Sequence, residues 1–148
     1  MDAHRIRRFA RHLSLPEVGY AGQEAIGRAC VVLFAEAPES RLAFETAREY
    51  LLAAGVVSVE SMDPDHPGTV ATVAMGDSGQ VESWAKKYGI PLVSLVYSEK
   101  SVRIVSTSER APRELVLPGP ILPSGNIAIG GLVAAEILWQ IVGGSHPT

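Results

Sequence analysis

The sequence predicts an α/β domain: three layers around a mostly parallel sheet, with an amphipathic helix at the N-terminal end and an apolar helix at the C-terminal end. Three observations carry this expectation. Residues 30–34, Cys-Val-Val-Leu-Phe, form an uninterrupted apolar run of the kind that suits a strand covered on both faces. Strand-like runs alternate along the chain with segments whose apolar residues recur at helical spacing, the pattern of parallel strands joined by crossover helices. A length of 148 residues is enough for one hydrophobic core and too short for a catalytic domain plus a substrate domain, so residues 1–148 are expected to form a single domain.

Taken in order, residues 4–13 place Ile6, Phe9, Ala10 and Leu13 at helical spacing with arginines on the other faces, a helix closed by Leu15-Pro16. Gly19 and Gly22 fall in the loop that follows, and residues 23–28 form a short helix leading into the first strand, residues 30–34. Over residues 38–54, Leu42, Ala43, Ala47, Tyr50, Leu51 and Ala54 share one stripe, and Gly55 supplies a left-handed stop. Residues 56–62 read as the second strand, closed by the turn-rich run Asp63-Pro64-Asp65-His66-Pro67-Gly68, and residues 69–75 as the third. A helix follows with Val81, Trp84, Ala85 and Tyr88 on one face and Gly89 as its cap. Residues 90–97 and 102–106 form a strand pair turning at Ser98-Glu99-Lys100, and a linker with Pro112, Pro118, Pro120 and Pro123 crosses to the last helix, residues 126–142.

Bulk properties exclude more than they assert. With 47% apolar residues, 20% charged residues and a net charge of −3, the chain has no general attraction for nucleic acid or an anionic membrane. One cysteine rules out an internal disulfide and a cysteine-rich zinc site, and Cys30, opening an apolar strand, reads as an inert buried thiol. His4, His12, His66 and His146 are scattered without metal-ligand spacing, so no metal is expected. Arg5, Arg7 and Arg8 are not followed by a signal-peptide run, which predicts a cytoplasmic protein. The apolar residues 126–142, with Glu136 as their one charge, fall short of the ~20 residues a bilayer needs and read as a buried helix. That helix is apolar on nearly every face, so a dimer interface is expected to cover what the sheet does not.

The run Arg8-Phe9-Ala10-Arg11-His12-Leu13-Ser14-Leu15-Pro16-Glu17-Val18-Gly19, followed by Gly22-Gln23-Glu24, resembles the opening of the ThiF/MoeB/HesA family of the ubiquitin-activating superfamily, R-[YF]-x-R-Q-x-x-L-P-E-x-G and then G-Q-E. The resemblance continues in the family's order through Tyr50-Leu51-Leu52-Ala53-Ala54-Gly55-Val56, Met62-Asp63-Pro64-Asp65, Ala74-Met75-Gly76-Asp77 and Gly89-Ile90-Pro91-Leu92-Val93. It ends at Gly130-Gly131-Leu132-Val133-Ala134-Ala135-Glu136-Ile137-Leu138. It implies a Rossmann-like arrangement and gives jobs to three side chains. Arg11 would reach across a dimer to the partner's ATP, Asp63 would bond the nucleotide ribose, and Asp77 would lie near the phosphates and Mg²⁺. Each also has a purely structural reading: Arg11 as a solvated or ion-paired residue, Asp63 as a turn residue bonded to nearby backbone, and Asp77 as a cap of the helix that follows.

The family holds its triphosphate with G-x-G-G-x-G after the first strand, where missing side chains let backbone N–H groups approach the phosphates. Here Phe34 is followed by Ala35-Glu36-Ala37-Pro38-Glu39-Ser40, and no glycine occurs between Gly27 and Gly55. A carboxylate ~4 Å from a phosphate costs roughly 4 kcal/mol at an effective dielectric of about 20. The family's N-x-x-R-Q, downstream lysine, catalytic cysteine and paired C-x-x-C motifs have no counterparts. The resemblance therefore predicts a non-catalytic, homodimeric scaffold without a cofactor, a partner of a sulfur-carrier or ubiquitin-like protein or of an active activating enzyme. The alternative is an adenylyltransferase that binds ATP and Mg²⁺ through an unusual loop.

Overall fold

The computed structural model describes residues 2–13, 16, 18–61, 71–107, 113–119 and 123–143. They form a mixed α/β fold with helices towards both ends of the chain and a central six-stranded sheet. The helix expected over residues 4–13 is two short helices, α1 (Ala3–Arg8) and α2 (Ala10–Leu13), broken at Phe9, whose ring turns inward and is buried. Asp2 starts α1 by accepting the N–H of Arg5 at 2.9 Å. Helix α3 (Gly19–Arg28) begins earlier than the sequence suggested. Gly22, expected in a loop, is helical because its bare Cα lets Val142 approach: a Cβ there would lie 3.2 Å from Val142 Cγ1.

Strand β1 (Cys30–Phe34) leads through a 3₁₀ turn at Pro38–Ser40 into α4 (Arg41–Ala54), which Gly55 ends at φ 100°. Then come β2 (Ser58–Ser61), β3 (Val73–Gly76) and α5 (Gly79–Tyr88), the last ended by Gly89 at φ 64°. The hairpin of β4 (Leu92–Tyr97) and β5 (Ser101–Thr107) is where the sequence placed it. Strand β6 (Arg113–Pro118) replaces part of the expected proline linker, and α6 (Pro123–Gly143) closes the described chain. Pro118 sits at the end of an outermost strand, the place in a sheet where a residue without an N–H is tolerated.

The strand order is β2-β1-β3-β4-β5-β6. The pairings β1–β2, β1–β3 and β3–β4 are parallel, whereas β4–β5 and β5–β6 are antiparallel, so the expected mostly parallel sheet is a mixed one. Alternation along the strands divides the core. Val31, Leu33, Val73, Met75, Val93, Leu95, Val102 and Ile104 pack with α3, α4 and α6, while Val32, Ala74 and Leu92 pack with α5. Each valine, leucine, isoleucine or methionine among them contributes about 1.5–3 kcal/mol by leaving water.

Two expected core residues of α4, Leu42 and Tyr50, are exposed, because the buried side of that helix is centred on Ala43, Ala47, Leu51 and Ala54 and includes Phe44. Cys30 is half-buried, at the rim of its strand. Helix α6 is longer than the run read from sequence, and within it residues Gly125–Gly143 are long and apolar enough, by length and composition alone, to cross a membrane. In the fold Ile129, Val133, Ala134, Ile137, Ile141 and Val142 are buried in the core, while Ile127, Leu132 and Trp139 remain exposed. A polar chain fastens α6 to the outer strands. Gln140 Nε2 donates to the buried Ser106 Oγ at 2.5 Å and to Glu136 Oε1 at 3.3 Å, and Glu136 pairs with Arg113 at 3.6 Å.

Candidate functional site

The chain leaves β1 through α4 to reach β2 on one side, and leaves β3 through α5 to reach β4 on the other. Connections therefore diverge beyond the C-terminal ends of β1 and β3, the crevice in which open α/β sheets hold ligands. Phe34 pairs with Gly76 at this edge, so the residues after them, 35–40 and 77–78, face each other across the divergence. Gly76 is required for the geometry: a Cβ there would come within 2.7 Å of Val81 Cβ on α5.

Asp77 does not cap α5. Ser78 holds the cap position without a side-chain cap bond, and its Oγ is buried without a partner. The Asp77 carboxylate instead crosses to the β1–α4 loop. Its Oδ1 accepts the Glu36 N–H at 2.7 Å, its Oδ2 accepts the Ala37 N–H at 3.0 Å, and the hydroxyl of the fully buried Ser40 also donates to Oδ2. Ser40 Oγ lies 2.7 Å from the Ala37 carbonyl as well, so one hydroxyl proton sits between two acceptors.

Beside this cluster, Tyr97 at the end of β4 donates its hydroxyl to Asn126 Oδ1 on α6 at 3.0 Å. Burial, with the charges of Asp77 and Glu39 adding to it, pushes the Tyr97 phenol up to about 12. The phenol is thus a neutral donor throughout the physiological range. Ser40, Tyr97 and Asn126 were not among the residues the sequence nominated; a buried serine in a 3₁₀ turn and a tyrosine ending a strand carry no pattern that distinguishes them from packing residues.

Of the three nominated residues, Asp77 is brought into this cluster. Arg11 lies on α2, and its side chain is outside the described residues, as is the whole of Asp63. The described side chains of the opening motif take part in packing. Phe9 stacks on His12 with ring centroids 5.9 Å apart and covers Gly55, where a Cβ would lie 2.6 Å from Phe9 Cζ. Gln23, fully buried, donates through Nε2 to the Ala54 carbonyl at 2.9 Å, leaving Oε1 to meet His12 Nδ1 at 2.9 Å. Since Oε1 can only accept, His12 carries its proton on Nδ1. Three separate stretches of the resemblance, 8–12, 22–24 and 50–56, therefore meet as one packing unit that docks α1 and α2 onto the end of α4.

The described residues that follow β1 and β3 do not fit a nucleoside triphosphate with Mg²⁺. The loop N–H groups of Glu36 and Ala37 already have an anionic partner, and the loop side chains carry Cβ atoms where a phosphate cradle needs none. The carboxylates of Glu36, Glu39 and Asp77 would also repel phosphate. Among the described residues no group of three or more His, Cys, Asp or Glu side chains could hold a metal ion.

No protein-family model matches the chain, and a comparison with curated proteins finds no match. A comparison with solved structures finds a heterocyclase in complex with substrate and cofactor, with a TM-score of 0.61 at 15% identity. The match covers 96% of this chain and 25% of the heterocyclase chain. At that identity the likeness is one of fold. This chain spans a quarter of the length of the enzyme it matches.

Proposed function

We propose that this chain is a Rossmann-like, ThiF/MoeB-like domain that has lost adenylation and acts as a dimeric scaffold, a partner of an active activating enzyme or of a sulfur-carrier or ubiquitin-like protein. The observation that carries the reading is the β1–α4 loop, whose backbone donors are held by an internal carboxylate and whose side chains include two further acids. Its N-terminal helices are nonetheless firmly docked through Phe9, His12 and Gln23, so α2, which bears Arg11, is held in place although the phosphate loop is lost. That combination suits a chain that supports a neighbour's site rather than its own. The heterocyclase supports such a setting in outline, since a domain of this fold occupies a quarter of a larger enzyme there.

The exposed Ile127, Leu132 and Trp139 on α6 supply the apolar surface for self-association. Light scattering on the purified chain tests this, with a mass twice the 15.7 kDa protomer expected. Pyrophosphate exchange with ATP, run on the same sample, is expected to be absent. A monomer that associates with no activating enzyme or carrier protein, or exchange above background, would defeat the reading.

A further inference from the structure

The family's use of the β1–α4 loop requires its N–H groups to be free for an incoming phosphate, and in this chain they are not. Asp77 sits one residue before the cap position of α5, which Ser78 holds without a side-chain cap bond, and its carboxylate reaches residues about forty positions earlier in the chain. Two backbone N–H groups and one buried hydroxyl converge on its two oxygens, the donor arrangement by which protein loops hold an oxyanion. The carboxylate is attached through β3, whose Met75 and Gly76 pair with Leu33 and Phe34, so the sheet itself fixes the anion beside the loop. A tethered ligand competes at an effective concentration in the millimolar range or above.

We propose that the Asp77 carboxylate is the resident anion of the β1–α4 loop, an internal ligand that occupies the loop's donors and closes it to external phosphate. The phosphate site is then filled from within the chain rather than merely eroded. Charge favours the same outcome: an external phosphate has to displace Asp77 while Glu36 and Glu39 stay nearby, whereas the internal carboxylate brings one negative charge and no translational cost. This inference rests on the non-catalytic reading but makes a separate claim about two amides.

The test follows the Glu36 and Ala37 amides by ¹⁵N-edited NMR in the full chain, with inorganic phosphate and formate as the probes. In the wild type both amides are expected to be protected from exchange and unmoved by millimolar concentrations of either. In Asp77→Ala both lose protection and then shift saturably as formate, a free carboxylate of the kind removed, is added. Asp77→Asn is the milder variant, in case the alanine chain fails to fold. Its carboxamide keeps one oxygen acceptor, so one of the two amides is expected to exchange roughly tenfold faster or more while the other keeps its bond. Phosphate shifting the wild-type amides, or a folded Asp77→Ala chain whose amides keep full protection or ignore formate, overturns the proposal. Nucleotide binding by the wild type that leaves these two amides unmoved would defeat the non-catalytic reading while leaving the internal anion in place.

Discussion

Gly130 and Gly131 are neighbours in one helix, and replacing each with alanine is expected to move stability in opposite directions. At Gly130 an added Cβ would lie 2.5 Å from the Ala43 carbonyl oxygen and 2.7 Å from Thr46 Cβ, both fixed parts of α4. Ordinary contact begins near 3.5 Å, so α6 and α4 would have to separate by about 1 Å. Overpacking of this kind costs roughly 1–3 kcal/mol, and the upper half of that range applies because neither obstacle can rotate aside. At Gly131 the added Cβ meets only Tyr50 Cε2, at an unstrained 3.8 Å. Both substitutions gain about 1 kcal/mol from removing a glycine inside a helix, and that gain cancels in the comparison. The difference between the two variants therefore isolates the clash, ~2–3 kcal/mol, with Gly131→Ala more stable than the wild type and Gly130→Ala less. Urea unfolding followed by far-ultraviolet circular dichroism measures it directly, and thermal midpoints should differ by roughly 4–10 °C. Equal stabilities for the two variants would refute the close packing of α6 on α4, and with it the account of α6 as a core helix.

Further outcomes are expected at Tyr97 and at Gln23. The Tyr97 phenol, held near 12, should be absent from the tyrosinate absorbance that develops around pH 10, and Asp77→Asn should lower its midpoint by removing a neighbouring negative charge. Because the folded value lies above the unfolded one, Tyr97's contribution to stability is complete below pH 10 and is lost as the pH rises from about 10 to 12; a melting temperature flat across that window would contradict it. Gln23→Leu strands the Ala54 carbonyl and the His12 N–H, so it should destabilise by roughly 1–3 kcal/mol and loosen α1 and α2. Trypsin should then cut faster at Arg5, Arg7 and Arg8, and an unchanged digestion rate would show that Gln23 does not hold those helices.

The alternation of strands and helices was legible because both periodicities are local. The apolar run of β1, the helical stripe of α5 and the glycines ending α4 and α5 each announce themselves within a dozen residues. What failed to show was set by distant contacts. Phe9 breaks the first helix because its ring is needed over Gly55, and Leu42 and Tyr50 fall outside the buried face because α4 packs on the sheet and on α6 together. Strand β6 was hidden by Pro118 within it and by Pro112 and Pro120 on either side in the sequence, and what recruits it is pairing with β5 and the ion pair from Arg113 to Glu136.

The candidate site shows the same division. Asp77 was legible as an acid at a strand end, but its partners are main-chain N–H groups, which every residue except proline carries and which sequence therefore cannot mark. The absence of glycines from residues 35–40 is plain in the sequence, and the structure adds that the Glu36 and Ala37 N–H groups bond the Asp77 carboxylate. Tyr97 and Asn126 meet from 29 positions apart because α6 starts where β4 ends.

The central claim is that this chain does not itself bind the nucleotide of an adenylating enzyme, and calorimetric titration of the wild-type chain with Mg²⁺-ATP tests it most directly. The account predicts no heat beyond dilution. A saturable micromolar site whose heat vanishes in Asp63→Ala would contradict it and return the chain to the nucleotide-binding members of the family it resembles.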